Sequence, residues 1–104
     1  MIKYKGFSVA PAQIEALLLE HPAVDDAAVI AKQNDEAGEV PKAFVVLRKD
    51  SADQRADELM AWVNSKLATF KQIRELEFIA AIPRNPSGKI LRRILKEQEQ
   101  QKPG

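Results

Sequence analysis

The stretch of this chain best suited to chemistry is the segment of residues 83–89, which ends in Lys89. Two prolines and a glycine lie within it, so the segment is expected to form a loop rather than a helix or strand. The residues that follow, 90–96, have apolar positions at helical spacing and predict a helix. Lys89 is therefore expected at a loop–helix junction, where its ammonium group can approach an anionic substrate. This placement favours phosphate or carboxylate chemistry, although the loop taken alone is equally compatible with a solvated lysine.

The segments around this loop predict a small α+β domain. Residues 2–9 have the pattern of a short hairpin around Gly6. A helix is expected to begin at Pro11, which suits a first turn, and to end before Pro22. Three apolar segments predict strands, at 24–31, 42–47 and 76–79. The expected fold is a roughly three-stranded sheet flanked by helices, with a short N-terminal β-hairpin.

Two features of the second half predict further helices. Ser51 and Gln54 have the spacing of a capping box, which predicts that a helix with an inward apolar face follows them. A tail helix is expected from about Ile90. The polar residues 97–104 at its end are expected to fray.

The composition excludes several classes of protein. The chain has 16 basic and 15 acidic residues, whereas nucleic-acid-binding domains usually have a large basic excess. It has no cysteine and one histidine, which excludes disulfides and argues against a metal site. No apolar run could span a bilayer and the N-terminus lacks the apolar core of a signal peptide, so a cytoplasmic protein is expected. The abrupt entry into a hairpin pattern suggests part of a longer protein.

Four segments, in order and in register, resemble the C-terminal domain of the adenylate-forming acyl-CoA synthetases. This superfamily includes fatty-acyl and coumarate–CoA ligases, firefly luciferase and peptide-synthetase adenylation domains. The matching segments are Ile-Lys-Tyr-Lys-Gly-Phe at 2–7, His-Pro-Ala-Val-Asp-Asp-Ala-Ala-Val at 21–29, Gly-Glu-Val-Pro-Lys-Ala-Phe-Val at 38–45, and Ser-Gly-Lys-Ile at 87–90. The first of them resembles the acyl-CoA and fatty-acid–CoA ligase branch more than the peptide-synthetase branch. Residues 1–104 are therefore interpreted as a C-terminal lid domain.

The resemblance implies a two-step reaction that uses two parts of the domain. In the first step a carboxylic acid and ATP form an acyl-adenylate and pyrophosphate. Lys89 is implied as the lysine that bridges the carboxylate and the α-phosphate and offsets their repulsion. In the second step, after a domain rotation, CoA converts the acyl-adenylate to acyl-CoA and AMP. Gly6 is implied to line the CoA tunnel, because a residue without a Cβ lets the backbone approach the pantetheine chain.

Four neighbours of Gly6 are implied as further contacts to CoA or the adenylate: Lys3, Lys5, Phe7 and Ser8. The two lysines could steer the anionic CoA, although solvated lysines explain them equally well. Ser8 departs from the coumarate-ligase and luciferase branches, where glutamine is common, so any polar contact from this position is expected to differ.

The implied parent enzyme carries ATP, Mg²⁺ and the acyl group mainly on a large N-terminal domain. That domain is absent from this sequence, so the isolated chain is expected to be inactive, to require no cofactor and to hold no metal. Arg92 and Arg93 could contact the large domain or CoA phosphates, or form a solvated helix face. The alternative from another class is a stand-alone, non-catalytic module that binds CoA or a protein partner.

Overall fold

The computed structural model describes residues 1–102, which form five strands and three α-helices. In chain order these elements are β1 (Ile2–Tyr4), β2 (Phe7–Val9), α1 (Pro11–Leu19), β3 (Val24–Asn34), β4 (Gly38–Leu47), α2 (Ala56–Asn64), β5 (Glu75–Phe78) and α3 (Arg92–Gln100). None of these helices is long and apolar enough to cross a bilayer. The predicted α+β class and the predicted order of elements are confirmed.

The centre of the sheet is the hairpin of β3 and β4, which are both longer than the strands predicted there. Residues 32–34 pair with residues 38–40, and the ladder ends with Asn34 opposite Gly38. The side-chain oxygen of Asn34 accepts hydrogen bonds from the N–H groups of Glu36 and Ala37, at 3.0 and 2.9 Å. Gly38 has a φ of +84°, which a glycine adopts without strain. These local contacts set the register of the hairpin.

β4 is the central strand because it has neighbours on both sides. β3 lies along one side, β5 runs parallel to it on the other, and β1 joins it at one end through Tyr4 opposite Gly38. β2 pairs with β1 and forms the outer edge at that end. The N-terminal hairpin therefore extends the same sheet as the three predicted strands.

Helices cover both faces of the sheet, because successive residues of β3 and β4 point to opposite sides. On one face, α1 and α2 contribute fully buried residues to the larger cluster: Ile14, Leu18, Leu59 and Val63. On the other face, α3 and the segment before it complete a smaller cluster: Ala28, Ile30, Phe44, Ile82 and Leu95. The sheet is thus the middle of three layers.

The predicted capping box is wrong. Ser51 ends a separate 3₁₀ turn, and α2 begins only at Ala56, with Arg55 as an N-cap residue that makes no side-chain cap hydrogen bond. Gln54 instead donates from its side-chain amide to the Arg55 carbonyl. The first turn of α2 carries two acidic residues, which stabilise a helix N-terminus through the helix dipole.

The C-terminal helix is held more firmly than the sequence predicts. It begins two residues after Ile90, because Ile90 pairs with Arg84 in an antiparallel bridge. The fraying expected from residue 97 is wrong for the described part, since α3 continues to Gln100. The end of the expected frayed segment, residues 103–104, lies outside the described residues.

A cluster of charged side chains fastens α3 to the sheet. The side chain of Glu99 is 10% exposed, and its oxygens lie 2.7 Å from Nζ of Lys42 and 3.1 Å from Nζ of Lys32. The Lys42 side chain is 5% exposed and also contacts Glu77, at 3.0 Å. Lys102 contacts both Glu77 and Glu99. The nearly buried ammonium of Lys42 is thus compensated by two carboxylates.

This cluster makes the free energy of unfolding depend on pH in the acid range. Burial by itself would raise the pKa of Glu99, but hydrogen bonds from Lys42, Lys102 and Lys32 outweigh it and lower that pKa from 4.5 to about 2. The unfolded chain therefore takes up this proton at a higher pH than the folded chain. The contribution of Glu99 to stability is complete above about pH 4.5 and is lost as the pH falls towards 2.

We predict that Glu99→Gln lowers the free energy of unfolding by about 2 kcal/mol at neutral pH. The deficit relative to the unmodified chain should shrink as the pH falls below 4.5, because the carboxylate then loses its advantage. Urea unfolding followed by Trp62 fluorescence at a series of pH values measures it. Glu97→Gln, an exposed change on the same helix, is the control, and a Glu99→Gln deficit that stays constant with pH would contradict the prediction.

Candidate functional site

The segment predicted to be a loop is a short hairpin, and Lys89 lies beside its turn. Arg84 forms an antiparallel bridge with the residue after Lys89, and the N–H of Asn85 donates to the Lys89 carbonyl at 3.0 Å. Gly88 has a φ of +88°, and its N–H donates to the Asn85 carbonyl at 2.9 Å. Residues 83–91 are therefore an ordered unit, which we call the lysine hairpin.

The side chain of Asn85 holds the turn from inside. Its Oδ1 accepts hydrogen bonds from the N–H and hydroxyl of Ser87, at 3.1 and 2.7 Å, and from the N–H of Lys89, at 2.9 Å. Asparagine favours turns because it can bond the backbone in this way. The backbone of Lys89 is thus fixed through both its N–H and its carbonyl.

The side chain of Lys89, by contrast, is exposed. Among the hydrogen bonds and ion pairs of residues 1–102, none involves its ammonium group. A compact cation on a fixed backbone and a flexible stem can bind a phosphate or carboxylate supplied by a ligand. Lys89 therefore lies in a hairpin three residues before α3 rather than at the predicted loop–helix junction, and its role in adenylation stays a prediction.

Two ion pairs fasten the ends of the lysine hairpin to the rest of the domain. Arg84 contacts both carboxylate oxygens of Asp26 in β3, at 2.7 and 3.1 Å. Arg92 contacts both oxygens of the buried Glu15 in α1, at 2.6 and 2.7 Å. Arg84 uses two nitrogens in a bidentate pair of restricted geometry, whereas Nη2 of Arg92 contacts both Glu15 oxygens. The two pairs give the hairpin a defined orientation relative to the sheet.

The pair of Glu15 and Arg92 also completes the outer edge of β3. Glu15 accepts a hydrogen bond from the N–H of Val29 at 2.8 Å, and Arg92 donates to the Val29 carbonyl at 3.2 Å. Arg92, which the sequence left open, is therefore a structural residue, whereas Arg93 is exposed. The sequence did carry a signal, because Glu15 lies one turn before the buried Leu18, and an acid on a buried helix face needs a partner.

The second candidate site is the tight turn between β1 and β2. Lys5 and Gly6 both have positive φ, +47° and +85°, as in a type I′ turn, which favours glycine at its second position. The N–H of Lys5 donates to the Ala37 carbonyl at 2.9 Å and docks the turn on the β3–β4 connection. A Cβ on Gly6 would meet no atom within 4 Å. The space above this glycine is open to a ligand.

The side chains predicted to accompany Gly6 all reach the surface. Lys3, Lys5, Phe7 and Ser8 are exposed, and Phe7 is 53% exposed despite its large apolar ring. Lys3 and Ser8 are cross-strand partners on one face of the hairpin, whereas Phe7 pairs with Tyr4 on the other face, so these predicted residues do not form a single surface. Their contacts to CoA or an adenylate stay a prediction.

Three residues that the sequence analysis did not single out extend this surface. Phe70 stacks on Phe7 with ring centroids 4.7 Å apart, and Nζ of Lys71 lies 5.6 Å from the Phe70 ring centroid. Arg74 donates to the hydroxyl of Tyr4 at 2.9 Å and lies over its ring. No local spacing connects these residues to the distant turn, so the sequence did not reveal them. We call the set the hairpin surface: Tyr4, Lys5, Phe7, Phe70, Lys71 and Arg74.

The two candidate sites lie at opposite ends of the sheet. The N-terminal hairpin joins β4 at Gly38, whereas the lysine hairpin is fastened through Asp26, which lies opposite Val46. These positions are eight residues apart on β4, a separation of about 27 Å in an extended strand. The structure therefore does not bring Lys89 and Gly6 together. They cannot act at one reaction centre in a single orientation of the domain.

Lys89 and the turn at Gly6 are thus two exposed features at two ends of one sheet. The sequence model of the AMP-binding enzyme C-terminal domain matches residues 13–89. This chain belongs to that family, which confirms the resemblance inferred from the four segments.

Similar proteins of known type are CoA ligases and synthetases. The chain is 49% identical over 96 residues to 4-coumarate:CoA ligase 1 from Petunia hybrida, covering 92% of this chain and 18% of that ligase. Its fold matches a Mycobacterium tuberculosis fatty acyl CoA synthetase with a TM-score of 0.85 and 36% identity, covering 94% of this chain and 19% of the synthetase. The Bacillus subtilis o-succinylbenzoate CoA synthetase, solved with its acyl-adenylate intermediate, gives a TM-score of 0.83 and 37% identity, with coverage of 91% and 19%. The chain thus spans about a fifth of the length of these relatives.

We predict that Arg92→Gln lowers the free energy of unfolding by about 2–3 kcal/mol, because it leaves the buried carboxylate of Glu15 without its partner. Arg93→Gln is the matched control and should change the free energy of unfolding by less than about 0.5 kcal/mol. Urea unfolding of the three chains measures both effects. Equal and small effects of the two substitutions would show that Arg92 is not the structural residue inferred here.

Proposed function

We propose that this chain acts as the C-terminal domain of an ATP-dependent, AMP-forming carboxylic acid–CoA ligase. Lys89 serves adenylation, and the turn at Gly6 serves thioester formation. The observation that carries the proposal is the placement of these two groups at opposite ends of one sheet, each open to solvent. A domain built in this way presents them in turn by changing its orientation to a shared reaction centre. The rest of that centre belongs to the part of the ligase that this chain does not span.

Lys89 offsets the electrostatic repulsion between the two reactants of the first half-reaction. A carboxylate oxygen of the acid attacks the α-phosphorus of ATP, the bond from that phosphorus to pyrophosphate breaks, and the acyl-adenylate forms. Both reactants are anionic, so their approach is opposed by repulsion. An unpaired ammonium between carboxylate and phosphate offsets that repulsion as charge develops, and the fixed backbone of the lysine hairpin limits the reorganisation required.

The turn at Gly6 leaves space for the pantetheine chain of CoA in the second half-reaction. The sulfur of CoA attacks the acyl carbon, a carbon–sulfur bond forms, AMP leaves with the electrons of the carbon–oxygen bond, and the thiol proton passes to solvent. The open space above Gly6 lets the pantetheine chain run along the backbone. The hairpin surface offers three cations and stacked aromatic rings to the anionic nucleotide end of CoA. Ser8, exposed on the other face of the hairpin, offers only a short hydroxyl.

The reaction consumes ATP, CoA and a carboxylic acid, and the ligase as a whole would use Mg²⁺ as the counter-ion of ATP. We assign Mg²⁺ to the part of the ligase that this chain does not span; among residues 1–102 no three His, Cys, Asp or Glu side chains are grouped to hold a metal ion. A fatty acid is proposed as the substrate, and an aromatic acid is the competing assignment because the similar proteins include a 4-coumarate ligase. A cytoplasmic location is proposed from the composition.

We predict that Lys89→Ala separates the two half-reactions. The experiment places residues 1–104 in the Petunia ligase instead of the segment that they match. Adenylation, measured by pyrophosphate exchange, should fall about 100- to 1000-fold. Thioester formation from supplied acyl-adenylate should be largely spared, because it uses the other end of the domain.

Lys96→Ala, which removes another exposed lysine after the same hairpin, is the control and should leave both half-reactions unchanged. The isolated chain should show no pyrophosphate exchange. Equal loss of both half-reactions in Lys89→Ala, or exchange by the isolated chain, would contradict the proposed division of labour.

We predict that alanine substitutions at two glycines slow different half-reactions in the same hybrid ligase. Gly6 and Gly88 have nearly equal φ, +85° and +88°, and a Cβ on either would meet no atom within 4 Å. Alanine therefore introduces the same backbone strain, about 1–2 kcal/mol, at both positions. Gly6→Ala should slow mainly thioester formation, and Gly88→Ala mainly adenylation, in matched kinetic assays. Loss of the same half-reaction in both variants would refute the assignment.

A further inference from the structure

The peptide unit between Gly88 and Lys89 is held at both of its polar ends by side chains. Its N–H, which belongs to Lys89, donates to Oδ1 of Asn85 at 2.9 Å. Its carbonyl, which belongs to Gly88, accepts a hydrogen bond from Nη1 of Arg84. The direction in which the Lys89 side chain leaves the backbone is therefore set by these two side chains.

Arg84 can hold this peptide only if it is itself held, and Asp26 does this. The Nη2 and Nε atoms of Arg84 donate to the two carboxylate oxygens of Asp26, at 2.7 and 3.1 Å. Asp26 lies in β3, opposite Val46 of the central strand, and one of its oxygens also accepts the N–H of Ala27 at 2.9 Å. An unbroken series of hydrogen bonds thus runs from the edge strand β3 to the backbone of Lys89.

We propose that Asp26 is a positioning residue for Lys89, acting through Arg84 to orient the Gly88–Lys89 peptide for the adenylation step. This proposal rests on the proposed role of Lys89. Asp26 itself touches neither substrate nor the reacting atoms. Its role is to hold the backbone of Lys89 in one orientation, while the side chain of that lysine stays exposed and flexible.

Because the ion pair of Asp26 and Arg84 is partly exposed, its effect on the orientation of Lys89 can be measured separately from its effect on folding stability. The side chains of Arg84 and Asp26 are 36% and 26% exposed, so their ion pair contributes little to folding. A displacement of about 1 Å in a group that must meet a transition state can cost about 100-fold in rate. Loss of Asp26 should therefore impair adenylation far more than it impairs folding.

The test is Asp26→Asn in the hybrid ligase described above, with Asp25→Asn as the matched control. Asp25 is the neighbouring, exposed acid and makes no ion pair among the described residues. For Asp26→Asn we expect the adenylation kcat to fall about 10- to 100-fold, with KM for ATP and for the acid unchanged. Thioester formation from supplied acyl-adenylate should keep its rate, which a general loss of structure would not allow. Arg84→Lys keeps the charge, loses the fork geometry, and should reproduce the adenylation defect.

A second measurement reports on the backbone at Lys89 and does not depend on enzyme activity. In the chain of residues 1–104, amide hydrogen exchange by NMR should become faster at Lys89 in Asp26→Asn, and should be unchanged at Val45 in the core. Unchanged exchange at Lys89, or unchanged adenylation in Asp26→Asn while Lys89→Ala abolishes it, overturns the positioning role alone. Normal adenylation by Lys89→Ala overturns the proposed function and the positioning role together.

Discussion

The antiparallel pairing of β3 with β4 is the constraint on which both candidate sites depend. Each site is fastened to a different end of this ladder, the lysine hairpin near Val46 and the N-terminal hairpin at Gly38. Because an extended strand has little freedom to shorten, the separation of the two sites is set by the length of β4. A domain with a shorter central hairpin would bring the two groups closer and could not present them as independently.

The domain uses its cations in two different ways, and burial separates them. Lys42 is buried among carboxylates and the partly exposed Arg92 pairs with the buried Glu15, where an unpaired charge would be costly, and the two cations join α1, the sheet and α3. Lys89 has a fixed backbone but an exposed ammonium that has no partner among residues 1–102. The first kind maintains the fold, and only the second kind is available to a ligand.

The order within the lysine hairpin bears on how Lys89 could reach a substrate. Its backbone is bonded internally through Asn85 and is tied to the sheet at both ends through Asp26 and Glu15. A loop fastened at this many points changes position together with its domain. Rotation of the whole domain, which the family resemblance implies, is therefore consistent with the construction of the site, whereas motion of the loop alone is not.

The sequence by itself determined the parts of this protein that depend on near neighbours in the chain. The prolines and Gly88 predict the turn that carries Lys89, Gly6 predicts the N-terminal hairpin, and the apolar spacing predicts the strands and helices. The capping box failed because Ser51 ends a short 3₁₀ turn and α2 begins only at Ala56, beyond Gln54. The prediction that the tail frays failed because the sequence does not show that Glu99 would contact Lys42.

Only the tertiary structure decided which charges meet. Asp26 and Arg84 are 58 residues apart in the chain, Glu15 and Arg92 are 77 apart, and Lys42 and Glu99 are 57 apart. No local pattern encodes such pairs, because one acid has many possible basic partners until the backbone is folded. Turn geometry arises from the φ preferences of single residues and can be seen in the sequence. The orientation of the lysine hairpin arises from contacts between distant residues, and only the packed sheet brings them together.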